Sequence, residues 1–149
     1  MNFMKLKHNK NDFFNEPKIF ETNIFKDSRG LFFESWNKKL FNFSLEDDTQ
    51  FVQDNISISS RGVLRGIHFQ SPNCPQGKLV RCIKGSIFDV IVDLRISSKT
   101  FKFWGGIELN SKNNYQLWVP PGFGHGFLSY EDESIVQYKV TDFWSKENE

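Results

Sequence analysis

Residues 62–95, "GVLRGIHFQSPNCPQGKLVRCIKGSIFDVIVDLR", hold three short apolar runs, "VLRGIHFQ", "KLVRCIKG" and "SIFDVIVDLR", with a Pro- and Gly-containing break after the first and a glycine after the second. Runs of this length, rich in Val, Ile and Phe and bounded by turn residues, read as β-strands. The same rhythm continues in both directions from Pro17 onward, through "IFETNIF", "LFFESW" and "QFVQDNISI" upstream and "FKFWGGIEL", "YQLWVPPGF" and "SIVQYKVTDFW" downstream. Only "WNKKLFNF" (36–43) has helical spacing. Many short strands with no alternating helices predict an all-β antiparallel sandwich or barrel. A length of 149 residues suits one domain with one core, expected over 17–149. Residues 1–16, polar and without periodicity, are expected to form a loose arm that leaves His8 in solvent.

Composition excludes several classes of function. A net charge of +1, with no Lys/Arg stripe, lacks the electrostatic footprint of a nucleic-acid binder. The longest apolar run is interrupted by Asp89 and Asp93 and is far shorter than a bilayer span of about 20 residues. "MNFMKLKHNKNDFF" has charge but no apolar segment of a secretory signal. Two cysteines are too few for a disulfide framework, so the expected compartment is the reducing cytoplasm. Most of the 17 Phe are read as core filling.

Within "SIFDVIVDL" the two-residue period puts Phe88, Val90, Val92 and Leu94 on one face, read as the dry one. Asp89 and Asp93 share the other with Ile87 and Ile91. A carboxylate there must reach water or a donor. Both a wet cavity inside a barrel and a plain outer surface satisfy that requirement.

His68 and His125 sit in strand or turn segments flanked by apolar residues, and His is the commonest acid/base side chain near neutral pH. A single His in a strand is also a common structural residue. Arg65, Gln70, Gln76 and Lys78 surround His68 in sequence and offer positive charge and donors that suit an anionic ligand such as a phosphate. No H-x-H or C-x-x-C pair argues for a metal site. Neither a G-x-S-x-G nucleophile turn nor a glycine-rich phosphate loop occurs.

At "DSRGLFFES", "FVQDN", "SSRGVLRGIHFQ", "PQGKLVRCIKGSIFDVIVDLR", "QLWVPPGFGHGFL" and "YKVTDFW" the chain resembles the dTDP-4-dehydrorhamnose 3,5-epimerases, dimeric jelly-roll barrels of the cupin superfamily. The resemblance implies a metal-free, cofactor-free isomerase of rhamnose-type deoxysugar biosynthesis, such as supplies O-antigen. Its substrate is a dTDP-linked 4-keto-6-deoxy sugar inverted at carbons 3 and 5. It implies His68 as base, Tyr138 as acid and Lys78 as the stabiliser of the enolate oxygen. Arg65 and His125 then contact the sugar and diphosphate, Gln53 and Asn55 lie near the nucleotide, and Trp144 stacks on thymine. Glu149 falls at another family binding position. Arg29, Phe32 and Glu34 would reach the neighbouring subunit through an exchanged strand, making a homodimer functional. The chain stops at "SKENE", before the family segment whose carboxylate pairs with the catalytic His; either Asp89 or Asp93 substitutes for it from the wet face, or the enzyme is slow, acts on one carbon or is inactive. Related readings are a one-carbon epimerase, a ketoisomerase, and a non-catalytic sugar-nucleotide binding protein.

Arg65 and His68 fall on opposite faces of a regular strand, which conflicts with one shared pocket. Gly66 between them offers a bulge that re-aims one of the two.

Overall fold

The computed structural model describes residues 2–149 and consists of twelve strands and one helix. A six-stranded antiparallel sheet runs in the order β1 (Asn2–Lys7), β2 (Phe13–Glu21), β10 (Tyr115–Val119), β7 (Lys78–Lys84), β12 (Ser134–Val140), β5 (Gln53–Ser59). A four-stranded sheet runs β6 (Leu64–His68), β11 (Phe123–Ser129), β8 (Ser86–Asp93), β9 (Trp104–Asn110). A separate hairpin pairs β3 (Ile24–Asp27) with β4 (Gly30–Phe33). This is the all-β antiparallel architecture expected from the sequence.

Strand alternation explains how one chain builds two apolar layers. Val80, Cys82, Leu117, Val119 and Val136 of the larger sheet meet Ile87, Ile91, Leu109, Phe123 and Phe127 of the smaller one in a single buried cluster. Their sequence neighbours Leu79 and Trp118, with Phe20, point outward and are covered by Phe41 of α1 (Lys38–Leu45). The helix begins where the Asn37 side chain accepts from the Leu40 amide, 3.1 Å, and ends at Glu46 in the left-handed conformation.

Two expectations are corrected here. The expected loose arm over 1–16 is, over its described residues 2–16, well ordered in the sheet: β1 pairs antiparallel with β2, and Leu6 and Phe14 are in the core. His8 is buried as well, packed between the rings of Phe14 and Phe103. The dry face of β8 is also the reverse of the one assigned, since Ile87, Asp89, Ile91 and Asp93 are buried while Phe88, Val90 and Val92 are only half-buried. Both carboxylates tolerate burial because each has partners. Asp93 accepts from Arg95 Nε (2.9 Å) and Nη2 (2.9 Å), from Ser98 Oγ (2.6 Å) and from Thr100 Oγ1 (2.6 Å). Burial pushes the Asp93 carboxyl up, but these donors outweigh it and hold the group well below the usual carboxylate range.

β5 and β6 are edge strands of the two sheets, and polar side chains line the space beside them.

Candidate active site

Between these edges lies a cavity of about 770 Å³. Its walls come from opposite sheets. Gln53, Asn55 and Ser57 of β5, Lys78 of β7 and Tyr138 of β12 line it from the six-stranded sheet. Arg65 and His68 of β6 and His125 and Phe127 of β11 line it from the four-stranded sheet. Register explains the first wall: Tyr138 pairs with Asn55 on one side and Val80 on the other, and Lys78 is one two-residue step from Val80 on the same face.

The second wall depends on Gly66. His125 pairs with His68 and Phe127 with Arg65, so three steps along β6 oppose two along β11. That extra residue is the expected bulge, and it brings Arg65 and His68 to one cavity. Gly66 has φ +117°, and a Cβ there would stand 2.6 Å from Gly126 Cα and 2.7 Å from the His125 carbonyl oxygen. Only glycine lets these two backbones approach so closely. Arg65 is braced by donating from Nε to Ser59 Oγ, 2.9 Å.

Lys78 is buried, and among the described residues no carboxylate lies within salt-bridge distance of its ammonium. Burial lowers its pKa from the ordinary lysine value, opposed by the fields of Glu149 and Asp89. The Tyr138 phenol is shifted up by burial and by Glu149, with Arg65 pulling the other way. Its hydroxyl is therefore protonated at neutral pH and, among the described residues, not engaged by a hydrogen-bond partner. A neutral phenol and an ammonium thus face the same space as the His68 imidazole.

The carboxylate pairings differ from expectation. Asp89, fully buried, accepts from His125 Nε2 through both oxygens at 2.9 and 3.0 Å. Asp93 belongs to Arg95, Ser98 and Thr100. Neither reaches His68. The carboxylate beside His68 is Glu149, whose Oε1 is 3.0 Å from Nδ1. Gln70 and Gln76 are also not free donors. Gln70 Nε2 donates to the Cys74 and Phe143 carbonyls, Gln76 Nε2 donates to the Asp142 carbonyl, and both pin the segment that carries Trp144 and Glu149.

Sequence reading missed Ser57, whose buried hydroxyl has no partner and which lines the cavity. The two-residue step from Gln53 through Asn55 pointed to it. Arg29, Phe32 and Glu34 lie outside the cavity of their own chain. Arg29 donates to Asp27 Oδ2 at 2.6 Å, Phe32 is 71% exposed, and Glu34 accepts from Asn37 Nδ2 at 3.0 Å. Among the described residues no group of three His, Cys, Asp or Glu is placed to hold a metal ion. Among the described residues no helix is long and apolar enough to cross a membrane.

Known proteins share this fold. The family model described as dTDP-4-dehydrorhamnose 3,5-epimerase matches residues 13–149. A protein of that name from Shigella flexneri is 50% identical over 131 residues, 88% of this chain and 72% of that protein. The solved dTDP-6-deoxy-D-glucose-3,5-epimerase of Legionella pneumophila, in complex with dTDP-4-keto-L-rhamnose, is 41% identical with a TM-score of 0.89, covering 99% of this chain and 76% of that one. A His-to-Asn, Tyr-to-Phe double mutant of ChmJ, a 3'-monoepimerase from Streptomyces bikiniensis solved with dTDP, is 28% identical with a TM-score of 0.85, covering 89% and 67%. The chain belongs to the dTDP-4-dehydrorhamnose 3,5-epimerase family.

Proposed function

We propose that the protein epimerises a dTDP-linked 4-keto-6-deoxy sugar at carbons 3 and 5 by proton transfer between His68 and Tyr138. The observation that carries this reading is the origin of the two groups. His68 comes from one sheet and Tyr138 from the other, and both line one cavity large enough for a sugar nucleotide. Epimerisation beside a ketone needs a base on one face of the ring and an acid on the opposite face. His68 takes the proton from carbon 3 or 5, and the electron pair moves into the enolate. The Lys78 ammonium, desolvated in the cavity wall, stabilises the oxygen at carbon 4 as it becomes negative. The Tyr138 hydroxyl returns a proton from the far side; the phenolate then recovers one from solvent and the His68 imidazolium releases its own, which resets both groups for the second carbon.

Arg65 and His125 suit the sugar and diphosphate, Gln53 and Asn55 the nucleotide end, and Trp144 the thymine face. The His and Tyr replaced in the ChmJ double mutant are as far apart in its sequence as His68 and Tyr138 are here, which supports the pairing. No metal or other cofactor enters this chemistry. The β3–β4 hairpin carries Phe25, Leu31 and Phe32 exposed, and a second copy would bury them while bringing Arg29 and Glu34 to its cavity. The active unit is then a homodimer. The domain takes in β1 as its edge strand and the whole of β2, and the compartment is the cytoplasm.

Incubation with dTDP-4-keto-6-deoxyglucose in deuterated buffer tests the reading. Deuterium should enter at carbons 3 and 5 with wild-type protein and not with His68→Ala. Equal exchange in both would overturn it, and exchange limited to carbon 3 would identify a one-carbon epimerase.

A further inference from the structure

Lys78 is the first residue of β7, and the ends of elements are the parts of a fold that open most readily. Its ammonium is buried, and among the described residues no carboxylate stands within salt-bridge distance, so hydration draws it towards water. The side chain stays in the cavity wall only if the backbone before it is held.

The hold comes from Thr141. The β7–β12 ladder ends with Val140 opposite Lys78, and one further backbone bond follows, from the Thr141 amide to the Gly77 carbonyl at 3.1 Å. In a regular antiparallel pair the Gly77 amide would return a bond to the facing carbonyl. Here the buried Gly77 amide donates instead to the Thr141 hydroxyl oxygen, 2.8 Å. A side chain thus stands in for a carbonyl at the point where the chain leaves β12 towards Trp144. Gln76 Nε2 adds its bond to the Asp142 carbonyl, 2.8 Å. The segment is also packed from the far side, since a Cβ on Gly77 would stand 2.5 Å from Trp118 Cη2 and 3.2 Å from Pro121 Cδ.

We infer that Thr141 is a positioning residue for Lys78: its hydroxyl holds the Gly77 amide, and through it the start of β7, so that the ammonium faces the oxygen at carbon 4 and not solvent. This deepens the epimerase reading and rests on it. One short segment, 138–141, then both carries the phenol and fixes the ammonium.

Three substitutions in the full chain test the inference. Thr141→Val keeps the shape of the side chain but leaves the buried Gly77 amide without an acceptor. Thr141→Ala removes the acceptor without setting a methyl against the amide, and Thr141→Ser keeps it. Acetic anhydride labelling read by mass spectrometry reports on Lys78 directly, with the exposed Lys112 as internal reference. Relative to Lys112, Lys78 should label at least about tenfold faster in the Val and Ala variants, and at the wild-type rate in Thr141→Ser. Turnover in the first two should fall roughly 10- to 100-fold in kcat, with KM changed by less than about threefold, and Thr141→Ser should restore it. Unchanged Lys78 labelling in Thr141→Ala overturns the inference. So does a wild-type kcat in the Val and Ala variants, or a raised KM with kcat intact, which would mark Thr141 as a ligand contact. Faster labelling in a protein whose wild type shows no deuterium exchange would uphold the positioning role and sink the epimerase reading instead.

Discussion

Gly66→Ala is the substitution that most directly probes how the site is built. The added methyl would sit 2.6 Å from Gly126 Cα and 2.7 Å from the His125 carbonyl oxygen, both backbone atoms that no rotamer change can move. The residue also has φ +117°, which L side chains rarely adopt. Backbone conformations of that kind cost about 1–3 kcal/mol, and forcing a methyl into a filled space costs about 1–3 kcal/mol more. The sum is about 4 kcal/mol, or a fall in Tm of roughly 10 °C for a domain of this size. Gly62→Ala is the control, because Gly62 has φ +79° but no atom within 4 Å of the added Cβ. It should cost only the left-handed penalty of about 1–2 kcal/mol. Urea unfolding of the two variants, read by Trp fluorescence, gives the comparison. Hydrogen exchange at His125 to Phe127 should rise in Gly66→Ala alone as β6 parts from β11. Equal stability in the two variants would refute the bulge as the device that brings Arg65 and His68 to one cavity.

Two further predictions concern the buried carboxylates. His125→Ala leaves Asp89 buried without its donor and should cost about 3–5 kcal/mol, most of it recovered by adding Asp89→Asn; urea titration of the single and double variants checks this. For Asp93, whose folded-state pKa is depressed, the stabilisation is fully present above the unfolded value of about 3.9 and is lost as pH falls towards the folded value. The stability gap between wild type and Asp93→Asn should therefore be widest at neutral pH and narrow steadily below about pH 4. A gap that stays constant with pH would contradict the assignment.

The strands were legible because turn residues bracket each apolar run, and the Gly66 bulge was legible because two polar side chains needed one face. The N-terminal strand was not. Leu6 is the one residue of β1 that the core buries, and because Phe3 and Met4 are adjacent and both exposed, the apolar positions of "NFMKLK" mark no single face. The buried face of β8 was misassigned because alternation shows that two faces differ without showing which has partners. Those partners are set by register: His125 is 36 residues from Asp89 in sequence and reaches it only because β11 pairs with β8. The Glu149 contact with His68 was hidden because 81 residues separate them and the segment after β12 has no period to read. Ser57 needed only the period of β5 carried one step further.

The central claim is that an imidazole and a phenol act on opposite faces of one sugar ring. Tyr138→Phe in deuterated buffer separates their roles, because His68 can still remove a proton and return a deuteron to the face it came from. The account predicts deuterium uptake at carbons 3 and 5 with little inversion, as read by proton NMR of the sugar. Uptake and inversion falling together by the same factor, or both continuing at the wild-type rate, would contradict it.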